Sequence, residues 1–137
     1  MKVFISHAHC DQAFADRLAR VLEEAGHRVW RDREILPGDN WGAALGEALT
    51  RAEAFVALVS PEATRSEFVT REWEYALGRA KLKNRLVPVE VKRTRCKPWI
   101  FERLNTLATS DPEAAGRAII KRFEATPTVR SRSRVST

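Results

Sequence analysis

The sequence is poor in cysteine and has no long apolar run, and both absences narrow the class of protein. Its two cysteines, Cys10 and Cys96, form no CxxC pair, so neither a disulfide framework nor a zinc site is indicated. No apolar run approaches the roughly 20 residues of a membrane-spanning helix, and the residues after Met1 lack a signal peptide's long apolar stretch. We therefore expect a cytoplasmic protein with reduced thiols and no membrane association.

Two nucleotide-binding motifs are also absent. Neither GxGxxG nor the Walker pattern occurs, which disfavours a Rossmann-bound redox cofactor and P-loop phosphoryl transfer. The chain does have 137 residues, 44% of them hydrophobic and 31% charged, which suffices for one globular domain with a core. We predict a domain over residues 1–125 and a disordered tail or linker stub over residues 126–137, where Ser, Thr and Arg predominate.

Short apolar runs alternate with amphipathic patterns along the chain. The predicted strands cover residues 3–5, 27–30, 54–59, 86–91 and, weakly, 104–108. Of the four predicted helices between and after them, the first begins at Asp11 as N-cap and stops at a left-handed Gly26, and the third covers residues 66–82. The last helix begins at Asp111 as its N-cap. The alternation predicts a flavodoxin-like, doubly wound parallel sheet of about five strands in the order 2-1-3-4-5, with helices on both faces.

Ligands of such sheets bind outside the carboxyl ends of the strands. In this sequence those ends are followed by residues 7–11, by a loop over residues 31–40 and by residues 60–66 leading into the third helix. His7, His9, Cys10 and Asp11 are potential metal ligands, but a loop scatters their side chains, and no third group orients Cys10 as a nucleophile. We expect no metal here.

Glu72 is the acid with the most unusual surroundings. The residues three and four positions away on its predicted helix offer no cation, since they are Phe68, Val69, Tyr75 and Ala76. A carboxylate among apolar side chains near the carboxyl edge of a sheet is a candidate for a raised pKa and a reactive role. A tertiary salt bridge is the alternative.

Several short patterns now occur together over residues 1–91. They are Val3-Phe4-Ile5-Ser6 followed by Asp11, Pro37-Gly38 with Trp41, Ser60-Pro61 after the third strand, and Ser66-Glu67-Phe68-Val69-Thr70-Arg71-Glu72. Together they resemble a bacterial TIR (Toll/interleukin-1 receptor) domain. In NAD-cleaving TIR domains, the glutamate that closes a Ser-x-Trp-Val-x-x-Glu pattern is the catalytic acid. That glutamate matches Glu72, and Phe68 stands where the family has tryptophan.

The resemblance implies an NAD+ hydrolase that releases nicotinamide and forms ADP-ribose or a cyclic ADP-ribose isomer, in bacterial immune or stress signalling. NAD+ is then the substrate, and no cofactor is needed. Its diphosphate requires donors, and the candidates are Arg31, Arg33 and backbone amides either after the first strand, at His7 and Ala8, or at the start of the second helix. Ser6 contacts the ribose or caps backbone groups.

Aromatic stacking on the substrate is assigned to Phe68 and Trp41, although Trp41 equally suits helix packing. Ser66 is a further candidate for ribose contact or helix capping. The competing interpretation is a non-catalytic adaptor, because many TIR domains act by self-association through a loop that corresponds here to residues 31–41. A fused or partner sensor domain is a further expectation from the family.

A third interpretation of the function is nucleic-acid binding, suggested by the basic residues between positions 79 and 97. Few aromatic residues interleave with these side chains and no RNA-binding motif occurs, so a solvated basic edge is favoured over a nucleic-acid site. The basic residues are Arg79, Lys81, Lys83, Arg85, Lys92, Arg93, Arg95 and Lys97.

Overall fold

The computed structural model describes residues 1–30, 41–79, 82, 85–95 and 97–125, with residues 41–44 described by their backbone only. The strands are β1 (Lys2–Ser6), β2 (Arg28–Trp30), β3 (Ala54–Val59), β4 (Leu86–Glu90) and β5 (Leu107–Ala108). The helices are α1 (Gln12–Glu24), α2 (Trp41–Arg51), α3 (Pro61–Arg65), α4 (Glu67–Leu77), α5 (Ile100–Arg103) and α6 (Pro112–Ala125). A 3-10 turn (His9–Asp11) precedes α1.

The strands form one parallel sheet in the order β2-β1-β3-β4-β5, as predicted. Central strand β3 pairs with β1 on one side and with β4 on the other, and all six of its residues are buried. A strand covered on both faces has no reason to alternate polar with apolar residues, which explains its continuous apolar run. The predicted bounds of this strand, residues 54–59, are confirmed.

Alternation along the strands divides the core between two faces of the sheet. Val3, Ile5 and Val56 face α1 and α6, whereas Phe4 and Phe55 face α2 and α4. On the second face the Phe4 ring stacks between Trp30, at 4.9 Å, and Phe55, at 5.4 Å. Each such buried side chain contributes about 1.5–3 kcal/mol to the free energy of folding, so both helical layers are held firmly against the sheet.

One helix is shorter than predicted, and two short helices were not predicted. The predicted helix over residues 66–82 is shorter, because α4 ends at Leu77, where the amide of Gly78 donates to backbone carbonyls of the last turn. Residues 60–66, predicted only to lead into the third helix, contain the short helix α3, which is capped by Ser60 and has Pro61 at its first position. The second short helix, α5, lies between β4 and β5, where no helix was predicted.

Glycine meets two different demands in this fold. Gly26 has a φ of +96°, which confirms the left-handed stop predicted after α1. Gly116, in α6, lies against α1 so closely that an added Cβ would be 2.5 Å from Cγ1 of Val21.

No helix in the described part of the chain is long and apolar enough to cross a membrane.

Candidate functional site at the carboxyl edge of the sheet

Glu72 and Ser6 meet at the carboxyl end of β1. Ser6 lies on the same face of the sheet as Phe4, and that face is covered by α4. The buried residues of α4 are Val69, Glu72, Trp73 and Ala76, so Glu72 belongs to the stripe that packs on the sheet. Its Oε1 accepts a hydrogen bond from Ser6 Oγ at 2.6 Å, and the two residues are 3% and 0% exposed.

This contact gives Ser6 a role beyond the two predicted for it, ribose contact and capping, and the ribose contact stays a prediction. The hydroxyl caps no helix and instead donates to a buried carboxylate, which holds one oxygen of Glu72 in place at the edge of β1. A hydrogen bond to a carboxylate in a buried environment is stronger than one between neutral groups. Ser6 therefore orients the acid that the sequence singled out.

Two residues that follow Ser6 are also buried at this edge. His7 Nδ1 lies 2.9 Å from the carbonyl oxygen of Ala8, and since a carbonyl only accepts, Nδ1 carries the proton of this bond. His7 Nε2 is buried and has no hydrogen-bond partner among the described residues. The Ala8 carbonyl also accepts from the amide of Asp11, so it closes the 3-10 turn.

Asp11 has a different role from the one predicted. It stands at the N-cap position of α1, but its side chain makes no capping hydrogen bond. Instead Oδ2 of this buried residue accepts from Ser60 Oγ at 2.5 Å, and Oδ1 lies 3.9 Å from Nζ of Lys92. The carboxylate thereby ties the segment after β1 to the ends of β3 and β4, and tertiary partners replace the local backbone partner that capping assumes.

Cys10 is exposed beside this network. Its sulfur and the carboxylate oxygens of Asp11 and Glu62 all lie within 4.8 Å of one another. The nearby cation is Lys92, whose Nζ is 3.5 Å from Glu62 Oε1. Desolvation around the sulfur and the negative charges of Asp11 and Glu62 raise the pKa of the Cys10 thiol, which disfavours a reactive thiolate.

The start of α4 positions the remaining described candidates. Ser66 Oγ accepts from the amide of Val69 at 3.2 Å, so this hydroxyl is the N-cap of α4, one of the two roles considered for it. Phe68 is partly buried one turn before Glu72. Glu67 and Arg71 form the exposed ion pair indicated by their spacing, with 2.5 Å between Glu67 Oε1 and Arg71 Nη2.

Part of the predicted site lies outside the described residues. Arg31 and Arg33 belong to residues 31–40, which the structure does not describe. Trp41 is the first residue of α2, but only its backbone is described. Their assignment to the diphosphate and to stacking stays a prediction. The same holds for self-association through residues 31–41.

Sequence reasoning missed Lys92 and Ser60 as partners of Asp11. Ser60 carries a signal, since Ser-Pro after a strand is typical of a helix N-cap, and Ser60 Oγ does accept from the amide of Ala63 at 3.1 Å. Its second bond, to Asp11, has no local signal. Lys92 is one cation among several basic residues after β4, and only the parallel packing of the strands brings it to Asp11.

These observations first define a class. A doubly wound sheet in the order 2-1-3-4-5, with a buried acid at its carboxyl edge, is a flavodoxin-like α/β domain with a candidate ligand site. The sequence pattern of the TIR domain family matches residues 3–120, which is most of the chain. The chain belongs to the TIR domain family.

The chain is similar to a protein of known sequence and to a solved structure. The protein named NAD(+) hydrolase ApTIR, from Actinoplanes sp., is 36% identical over 96 residues, which cover 63% of this chain. The matched region spans only 13% of the length of that relative. The crystal structure of the TIR domain of the Toll-related Receptor TRR-2 from Hydra magnipapillata has a TM-score of 0.70 at 18% identity and covers 90% of this chain and 95% of its own. Because the identity is only 18%, the likeness to the TRR-2 domain shows the fold alone.

Proposed function

We propose that this TIR domain hydrolyses NAD+ at the bond between nicotinamide and ribose, with Glu72 as the catalytic carboxylate. The observation that carries the proposal is the Ser6–Glu72 pair, a buried and oriented acid at the edge of the sheet where ligands of this fold bind. The likeness to a protein named NAD(+) hydrolase supports the same reaction. NAD+ is the substrate in this proposal, and no cofactor takes part.

The chemistry of NAD+ explains how one acid suffices. The bond from ribose C1′ to the pyridinium nitrogen breaks with its electron pair going to nitrogen, so nicotinamide leaves as a neutral molecule. No general acid has to protonate it, whereas typical glycosidases need two carboxyl groups. Positive charge then develops on the ribose, and water adds to C1′ and releases a proton to give ADP-ribose. Attack by an adenine nitrogen instead of water would give a cyclic isomer.

Glu72 would stabilise this positive charge from a site shielded from bulk water. With only 3% of the residue exposed, the carboxylate interacts with a nearby cation more strongly than it would in water. Ser6 is a positioning residue, because it acts through its hydrogen bond to Oε1. Phe68 is the described aromatic candidate for stacking, and Arg31, Arg33 and Trp41 complete the proposed contacts.

The test is nicotinamide release from NAD+ by concentrated protein. We expect Glu72→Ala to lower the rate by about 100-fold or more, the usual cost of removing a group that stabilises transition-state charge. Glu74→Ala is the matched control, since Glu74 is an exposed acid two residues further along the same helix. A wild-type rate for Glu72→Ala would rule out the assignment of Glu72.

A non-catalytic adaptor is the second candidate function. The small exposed fraction of Glu72 and its bond to Ser6 also fit a purely structural acid that fastens α4 to β1. The resemblance to TIR domains implies that the protein acts by self-association, so the rate of nicotinamide release should be measured again with the protein clustered on beads or vesicles. Absence of nicotinamide release from wild-type protein in both states would favour the adaptor. The role in bacterial immune or stress signalling belongs to the hydrolase proposal, and a sensor domain in the same or a partner protein is a further expectation from the family.

A further inference from the structure

An open cavity of about 420 Å³ lies between α3 and the segment that follows β4. It is separate from the site described above, because neither Ser6 nor Glu72 lines it. Three of its six lining residues are arginines and none is acidic. We call this cavity the arginine pocket; its lining residues are Pro61, Thr64, Arg65, Arg93, Thr94 and Arg95.

The acids near the arginine pocket are already paired with lysines. Glu90 Oε1 lies 3.0 Å from Nζ of Lys97, and Glu62 Oε1 lies 3.5 Å from Nζ of Lys92. Within the described residues, by contrast, the three arginines of the pocket form no salt bridge. Lys97 pairs with Glu90, and Lys92 serves both Glu62 and Asp11, so none of these carboxylates is within salt-bridge distance of a guanidinium group of the pocket.

The segment after β4 is held in shape by buried hydrogen bonds. Thr94 is 5% exposed; its amide donates to Glu90 Oε2 and its hydroxyl donates to the carbonyl of Lys92, both at 2.8 Å. This anchor fixes the residue between Arg93 and Arg95, so that both arginines line one cavity. Little ordering of the backbone is therefore required when a ligand binds.

Arg65 approaches the cavity from α3. Its Nε donates to the carbonyl of Pro61 at 3.1 Å, which leaves the two terminal nitrogens of the guanidinium for a ligand. Carbon atoms of Pro61 and Thr64 supply a less polar wall beside the charges. The arrangement combines three planar cations with room for more than an inorganic ion.

We propose that the arginine pocket binds the diphosphate group of a nucleotide. Guanidinium groups bind phosphate oxygens through paired hydrogen bonds, and three of them match the charge of a diphosphate. The volume falls within the range of about 300–1,000 Å³ that is usual for small-molecule sites, so a sugar fits beside the diphosphate. This site is independent of NAD+ cleavage at Glu72.

The experiment is calorimetric titration of the 137-residue chain with inorganic pyrophosphate, ADP and adenosine at low ionic strength. The test variant is Arg93→Gln with Arg95→Gln. The control is Arg20→Gln with Arg103→Gln, which removes the same charge from exposed positions on α1 and α5. All four arginines are exposed, and circular dichroism checks that both variants fold.

We expect pyrophosphate and ADP to bind the wild type and the control equally, and adenosine not to bind. The test variant should bind pyrophosphate about tenfold more weakly or worse for each arginine removed. No pyrophosphate binding by the wild type, equal binding by the test variant, or an equal loss in the control would each overturn the proposal. Because no turnover is measured, this result does not depend on the proposed NAD+ hydrolysis.

Discussion

The hydrogen bond from Ser6 to Glu72 leads to a prediction about stability that needs no substrate. Removing the hydroxyl by Ser6→Ala deprives a buried carboxylate of a donor at 2.6 Å. Hydrogen bonds to charged groups contribute about 1.5–3 kcal/mol to the free energy of unfolding. Alanine fills nearly the same space as serine, so packing changes little. We expect Ser6→Ala to cost about 2 kcal/mol.

Glu72 must be present for this cost to arise, so a double-mutant cycle isolates it. In a Glu72→Ala background the same change at Ser6 removes a hydroxyl that no longer has its carboxylate partner. We expect the coupling free energy between the two positions to be about 1.5 kcal/mol. The cost of each single variant contains other effects, whereas the coupling free energy reports the pair.

Urea unfolding followed by tryptophan fluorescence measures these free energies. Trp73, which neighbours Glu72 and is 1% exposed, makes the signal sensitive to release of α4 from the sheet. The control cycle combines Ser6→Ala with Glu67→Ala, because Glu67 is exposed and pairs with Arg71 on its own helix. Its coupling should stay within about 0.5 kcal/mol. If the Ser6–Glu72 coupling is equally small, Ser6 does not hold the acid, and its role as a positioning residue fails.

Two further predictions concern the packing of α6 and the segment after β4. A Cβ on Gly116 would lie 2.5 Å from Val21 Cγ1 and 2.9 Å from Val21 Cβ, so Gly116→Ala should lower the free energy of unfolding by about 1–3 kcal/mol despite the better helix propensity of alanine. Gly78→Ala is its control in urea unfolding, since there a Cβ meets only backbone oxygens at 3.5 and 3.6 Å and φ is −82°; equal losses in both variants would contradict the steric argument. For Glu90, burial opposes ionisation, but the bonds from Lys97 and the Thr94 amide outweigh it and hold the pKa of its carboxyl below the ordinary 4.5. A lowered pKa stabilises the fold only while the group is charged, so the stability advantage of the wild type over Glu90→Gln should be full above about pH 4.5 and vanish as the pH falls through the folded-state pKa. An advantage that is constant with pH in thermal unfolding would show that charge is not its source.

Much of the fold could be predicted because its signals are local. A continuous apolar run marked β3, and Gly26 marked the end of α1 through a conformation that glycine adopts at little cost. The apolar stripe of the third predicted helix was also visible in the sequence, at Val69, Trp73, Ala76, Leu77 and Ala80. The first three are buried and Leu77 is half-buried, whereas Ala80 lies outside the described residues. The helix does not run unbroken to Leu82 as predicted, because α4 ends at Leu77, and helical periodicity does not show where a helix ends.

In the candidate site, too, local signals could be predicted from the sequence and long-range contacts could not. Sequence spacing singled out Glu72 because no cation stood beside it on the helix. Sequence spacing could not identify Ser6 as the hydrogen-bond partner of Glu72, because the two residues are 66 positions apart. For Asp11 the sequence predicted a local contact that the structure does not contain. A local rule made it a helix cap, whereas its carboxylate is bonded to Ser60 and lies near Lys92.

The sequence by itself determined the alternation of strands and helices, the topology that right-handed crossovers impose on it, and the acid to examine. Only the tertiary structure decided what that acid touches and which arginines line the arginine pocket. The physical reason is one of range. Periodicity and capping act within a few residues along the chain, whereas hydrogen bonds and ion pairs at the carboxyl edge join residues that become neighbours only when parallel strands are placed side by side.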